Sequence, residues 1–370
     1  MEFHNFHPDK IKIINMIPLG RGSSIFVQGL LDGHPEITTI IFYYLKNNEI
    51  ENKNFNDIVN LIHERIAERV SMYIGDNDFQ KKFPKKIFAK YLKEYTDKFG
   101  TSTKTIFIGT HYAYTKHFQK DVSKVRYILG HSHVPEMFID LAHNFPKQKM
   151  LFLIRDPRAS FYSGKKMRNT ILAITMLRNT TYLYKQMKKK KQDVMAIKHE
   201  TLHTNYKKIK FELINWLKIK DNPSLNSATF LDKDYYGFKN EKLESTSGAI
   251  SNIPDSKFAN EKWKDELSTA EINLVQFCFS DLIKIFNYKR IPRYEPLWIE
   301  YFSIRRNLSL NHINTVHKGA KKIFLKFLRF VYMIPLIGLP LVKITFISQE
   351  LFTKINYNIK TGLKIKFTKI

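Results

Sequence analysis

The sequence predicts an α/β fold, a central parallel sheet flanked by helices, followed by a helical, basic C-terminal extension. Three observations predict it. Short continuous apolar runs, such as "IKIINMIP" (11–18) and "MLFLI" (150–154), are bounded by polar or turn residues, as strands buried on both faces are. Segments of helical period lie between them: "NDIVNLIHERIAERVSMY" (56–73) puts Ile58, Leu61, Ile62, Ile66, Val70 and Tyr73 on one face. Strands that alternate with helices connect in parallel.

Taken in order, the first strand runs into "GRGSS", a Gly-containing turn, and then into a helix over "IFVQGLLDGHPEI" that ends near Gly33 and Pro35. Gly75 stops the long helix. The apolar run in "KTIFIGTHYAY" is expected to be another short buried strand, ending at Thr110-His111. Asp156 suits an N-cap and Pro157 a first helical position, so the 150–154 strand should hand directly to a helix. A helix-rich span then reaches the Lys run at 188–191, a strand follows at "DVMAIKHE", and a helix at "TLHTNYKKIKFELINWLKI". Ser268 and Glu271 form a capping-box pattern, with Leu267 and Ile272 spaced as a hydrophobic staple.

The expected organisation is one domain over 1–289, a linker over 290–297 and an extension over 298–370. The extension mixes Lys and Arg with dense apolar residues. Its longest charge-free run, 330–342, is well short of the roughly 20 residues a spanning helix needs. A peripheral attachment to an anionic membrane surface suits such a segment; packing onto the main domain or another subunit suits it equally.

The chain carries 61 Lys and Arg against 34 Asp and Glu, a net charge of +27, and so attracts anions. Zinc-finger spacing and RNA-binding aromatic motifs are missing, which disfavours nucleic acid as the partner. Cys278 is the only cysteine, so no internal disulfide can form. "MEFHNFHPDKIK" lacks a basic stretch followed by an apolar core, so the expected location is cytoplasmic, with the extension at the inner face of the membrane.

Two segments carry chemistry. In "PLGRGSSIFVQG" (18–29) a strand, a Gly/Ser turn and a helix form the arrangement that cradles phosphates with backbone N–H groups. It is not a Walker A loop, because Gly-Lys-Ser/Thr is missing. In "LFLIRDPRASFYSG" (151–164) Arg155 stands at the carboxyl end of a buried strand beside the positive end of a helix, where open α/β sheets bind ligands.

Together these segments resemble the two nucleotide-binding signatures of sulfotransferases that use 3′-phosphoadenosine 5′-phosphosulfate (PAPS), which have a P-loop NTPase-like fold. The resemblance implies that Arg21, Gly22, Ser23 and Ser24 hold the 5′-phosphosulfate. It implies that Arg155, with Ser163 eight residues later, grips the 3′-phosphate. The turn reads Gly22-Ser23 where the family usually has Ser-Gly. "IKHETLHTNY" resembles the family's Tyr-Glu-Asp-Leu region, with Glu200 matching its Glu, and "FANEKWKDELSTAEI" a late Trp-Lys segment.

The implied reaction moves a sulfuryl group from PAPS to a hydroxyl or amine of a small-molecule, glycan or lipid acceptor, releasing 3′-phosphoadenosine 5′-phosphate (PAP). Arg21 is the candidate stabiliser of charge on the leaving phosphate. His111 is the candidate general base, because "TIFIGTHYAY" resembles the family's Lys-Thr-His segment; His34 and Glu36 are the fallbacks. No metal is required, although His131 and His133 stand close together in sequence. The competing readings are a P-loop kinase and a non-catalytic membrane-surface protein with a vestigial nucleotide site.

Overall fold

The computed structural model describes residues 3, 5–18, 22–41, 43, 45–118, 120–132, 135–166, 177, 181, 183–189, 192–231, 233–235 and 252–292. The extension at 298–370, most of the 290–297 linker, Arg21 and His133 lie outside the described residues.

Five strands form one parallel sheet: β1 (Lys12–Pro18), β2 (Ile37–Thr39), β3 (Tyr127–His131), β4 (Lys149–Ile154) and β5 (Val194–Lys198), in the order β2-β3-β1-β4-β5. Between β1 and β2 lies α1 (Ser24–Asp32). Between β2 and β3 lie α2 (Asn47–Ile50), α3 (Phe55–Ile74), α4 (Phe79–Lys82), α5 (Lys85–Phe99) and α6 (Thr103–His117). β3 leads through α7 (Pro135–Asn144) to β4, and β4 runs into α8 (Pro157–Lys166). Beyond β5, helices span His199–Thr204, Tyr206–Leu217, Thr269–Cys278 and Ser280–Ile285.

β1 to β4 are buried on both faces, β5 only partly, and successive side chains go to opposite faces. Met150, Phe152 and Ile154 of β4 join a core with Phe138 of α7, Phe161 of α8 and Trp263. Leu151 and Leu153 join the opposite core with Val27 and Leu30 of α1 and Leu213 of Tyr206–Leu217. A third core packs α3, α5 and α6 against the edge of the sheet, through Ile62, Ile66, Leu92, Tyr95 and Ile108.

Local signals act where they stand. Asn54 caps α3 by accepting from the Asp57 N–H at 2.9 Å, and Gly75 ends that helix at φ 73°. Ser268 and Glu271 form the reciprocal capping box. Asp156 accepts the Arg158 N–H at 2.8 Å, with Pro157 opening α8. The expected single helix after β5 is instead two, separated at Asn205, whose side chain accepts from the Lys208 N–H.

One expectation is corrected. "KTIFIGTHYAY" is not a strand but the interior of α6, so His111 lies mid-helix and not at a strand end. Ser102 caps the helix by accepting from the Thr105 N–H. A Cβ built on Gly109 would come within 2.8 Å of Tyr95 Cδ1 and 2.9 Å of Leu92 Cδ1, so the glycine lets α5 and α6 approach closely. A helix covered on all sides is apolar all round and shows no stripe, so its sequence reads like a buried strand.

Candidate functional site

The sheet order fixes where a ligand crevice opens. From β1 the chain turns to the β3-β2 side, and from β4 it turns to β5, so the connections diverge at the carboxyl ends of β1 and β4. Such a divergence leaves a crevice outside the strand ends. Pro18 pairs with Leu153 and Ile154 with Lys198, so β1, β4 and β5 end at nearly one level. The Gly22–Ser24 turn leaves β1 here, Arg155 leaves β4 and His199 leaves β5.

The three exits meet around Ser23. Its backbone is left-handed at φ 63°, a region few residues other than glycine adopt. Its Oγ lies 2.7 Å from His199 Nδ1 and 3.4 Å from His203 Nε2. His199 Nε2 donates to the Phe258 carbonyl at 2.9 Å, and His203 Nδ1 accepts from the Asp255 N–H at 3.3 Å. Phe26 of α1 lies against the His203 ring, centroid to centroid 5.3 Å.

Arg155 is half-buried, and its charge bears on both imidazoles. Burial, then the Arg155 guanidinium, pushes His203 down to about 4 and His199 well below its ordinary value. Both rings are therefore neutral near pH 7, and Arg155 brings positive charge to this edge. Helices α1 and α8 both begin beside the crevice, adding the partial positive charge of their N-termini.

The turn that carries Arg155 is braced from beneath. Glu200 Oε1 accepts the Asp156 N–H at 2.9 Å and Oε2 accepts from the Tyr288 hydroxyl at 2.9 Å. Burial first, and Glu200 next, push the Tyr288 hydroxyl well above its ordinary value, so it stays a donor. Asp156 is held by Arg158.

Of the residues singled out in the sequence, Gly22, Ser23, Ser24 and Arg155 stand at this edge. Gly22 is buried, and Ser24 opens α1 half-buried. Ser163 lies on α8, roughly 9 Å along the axis from its first residue at 1.5 Å per residue. His111 stands elsewhere, fully buried between Tyr43 and Phe107. Its Nδ1 donates to the Phe107 carbonyl, Nε2 is sealed without a hydrogen-bond partner, and burial pushes it down to about 4. The fallbacks His34 and Glu36 precede β2 at the opposite, amino edge, bonded to Lys220 and Arg126.

Sequence reasoning missed His199 and His203 at this edge and named His131 only as a neighbour of His133. His199 and His203 are four apart on one short helix, and so on one face of it. His131 ends β3 beside Met16 of β1, and the next residue, Ser132, donates its N–H to the Met16 carbonyl. The strand–helix–strand spacing from Tyr127 through Pro135 to Lys149 was the available signal. Among the described residues no group of three or more His, Cys, Asp or Glu side chains could hold a metal ion. Nor, among them, is any helix long and apolar enough to cross a membrane.

The class so defined is an open parallel α/β protein with an anion-favouring crevice between β1 and β4. No family model matches the chain, and no curated protein matches it. Solved structures that align with it include the sulfotransferase domain from the curacin biosynthetic pathway, at 15% identity and TM-score 0.42, covering 74% of this chain and 97% of that one. The sulfotransferase domain of the Synechococcus PCC 7002 olefin synthase aligns at 14% identity and TM-score 0.41, covering 76% and 95%. Sulfotransferase STF9 from Mycobacterium avium aligns at 10% identity and TM-score 0.39, covering 76% and 78%. These are likenesses of fold.

Proposed function

We propose that this chain is a PAPS-dependent sulfotransferase that moves a sulfuryl group to a hydroxyl or amine of a small-molecule, glycan or lipid acceptor. The observation that carries the reading is the convergence of the Gly22–Ser24 turn and Arg155 on one crevice, each beside a helix N-terminus. A donor anionic at both ends suits two separated cationic grips. Gly22, Ser23 and Ser24 are the proposed holders of the 5′ end, with Arg21 stabilising the leaving phosphate. Arg155 and Ser163 are the proposed holders of the 3′-phosphate.

In-line transfer forms a bond from sulfur to the acceptor heteroatom as the bond from sulfur to the bridging oxygen breaks. The departing phosphate takes the electron pair, and the acceptor's proton goes to a base. By analogy with phosphoryl transfer, the protein's work is positioning and charge stabilisation. The base is drawn from the segment leaving the carboxyl end of β3, which begins with His131 and Ser132; His111, sealed inside α6, is poorly placed for it.

Titration calorimetry with PAP, and separately with ATP and Mg²⁺, tests the reading. PAP binding in the micromolar range, with sulfuryl transfer to a panel of acceptors that EDTA does not abolish, is the expected result. ATP binding without PAP binding would move the chain to the kinases. Vesicle attachment without either nucleotide would make it a non-catalytic surface protein.

A further inference from the structure

Ser23 occupies the N-cap of α1, where a serine side chain ordinarily accepts from the N–H groups of the first turn. It does not do so: its side chain makes no capping bond. The hydrogen bonds around it explain why, because they can be polarised in only one way. The Phe258 carbonyl can only accept, so His199 Nε2 carries a proton and the neutral ring's Nδ1 carries a lone pair. That lone pair receives the Ser23 hydroxyl proton. The Asp255 N–H can only donate, so the lone pair of His203 is on Nδ1 and its proton on Nε2, directed at Ser23 Oγ. The hydroxyl thus donates to one histidine and accepts from the other.

We infer that His199 and His203 are a positioning pair that draws Ser23 Oγ out of the α1 cap and keeps the β1 turn open for the anionic 5′ end of the donor. The inference rests on the proposed function for the identity of that ligand. An anion arriving at the first turn of α1 needs its N–H groups, and a serine that capped its own helix would compete for them. Pulled toward the imidazoles, the side chain also pins a left-handed backbone that glycine would adopt without help. The pair is distinct from the phosphate grips, since its four ring nitrogens are committed to Ser23, Phe258 and Asp255.

The test has one readout that needs no ligand. Nitrogen-15 spectra of the full chain should show both His199 and His203 protonated at Nε2 and bare at Nδ1 near pH 7.5, and Ser23→Ala should shift His199 Nδ1. A His199 protonated at Nδ1 would overturn the inference. The second readout is a double-mutant cycle on PAP affinity. His199→Phe should weaken PAP binding at least tenfold, because Ser23 is then free to cap α1. Measured against Ser23→Gly, which has no hydroxyl to cap with, the same change should cost less than threefold. Equal losses in both backgrounds would mean that His199 supports the site in another way, and the inference fails. If the parent chain does not bind PAP at all, the proposed function fails instead. The spectra, with the same cycle read by thermal denaturation, then decide the pair: His199→Phe should lower the melting temperature less in the Ser23→Gly background than in the parent.

Discussion

Arg158 closes a two-pronged ion pair on Asp156, with Nε 2.9 Å from Oδ1 and Nη2 2.6 Å from Oδ2, both side chains buried. The guanidinium also lies over the Trp263 ring at 4.2 Å and donates to Gln276 and to the Lys289 carbonyl. One side chain therefore fastens the start of α8 to the helices that follow residue 262. Removing one member of a buried pair leaves the other charge stranded, which costs about 3–5 kcal/mol. Arg158→Ala should lower the urea midpoint accordingly. Arg158→Lys should recover little, because an ammonium cannot reproduce the fork and the stack. An unfolding free energy within about 0.5 kcal/mol of the parent, the size of a surface change, would show that the pair is dispensable.

Arg155, half-buried at the crevice, is tested by ligand affinity in Arg155→Ala. Loss of a charge-assisted contact to the 3′-phosphate is worth about 1.5–3 kcal/mol. PAP affinity should therefore fall at least tenfold, while affinity for adenosine 5′-phosphosulfate, which lacks that phosphate, changes little. Equal losses for both nucleotides would remove Arg155 from the 3′ grip.

What was legible in the sequence follows a physical line. "KMLFLIRDPRASF" was readable because each signal is local: an apolar run, an N-cap Asp, a Pro at the first helical position. The Gly22–Ser24 turn was readable for the same reason. By contrast, α6 is covered on every side, so its apolar content carries no period. β2 has only three residues and does not separate from the flanking "IFYY". His199 and His203 acquire their role only through Ser23, more than 170 residues away in sequence, and no local pattern records that contact.

The histidine pair makes stability depend on pH. Among the described residues, the charged groups that bear on it are Arg155, just past β4, and Asp255 from the segment beside it, with Ser23 between the rings. His203 has an ordinary value of 6.5 and is held down to about 4 in the fold, chiefly by burial. As pH drops through 6.5 the unfolded chain takes up a proton that the folded chain refuses, so stability is full above that value and falls until about pH 4. His199 acts in the same direction. Urea midpoints between pH 7.5 and 4.5 should decline, and His203→Gln should flatten the decline. A parent chain with no slope across this window would show that the rings are charged in the fold.

His111 is where catalytic and structural roles separate most cleanly. A general base must reach the acceptor's proton, within hydrogen-bond distance or through one water. The His111 ring has no exposure, its Nδ1 is bonded to the turn behind it, and Tyr43 and Phe107 cover its faces. A base at this position would lower turnover about 10²–10⁴-fold when replaced and leave PAP affinity unchanged. A core histidine would cost stability and leave the turnover of each folded molecule alone. The geometry favours the second outcome: His111→Ala should lower the melting temperature by several degrees, in keeping with the roughly 2–5 kcal/mol of a large-to-small core change. Turnover normalised to folded protein should stay within tenfold of the parent. A hundredfold loss at unchanged melting temperature would return the proton transfer to His111 and require α6 to open toward the crevice during the reaction.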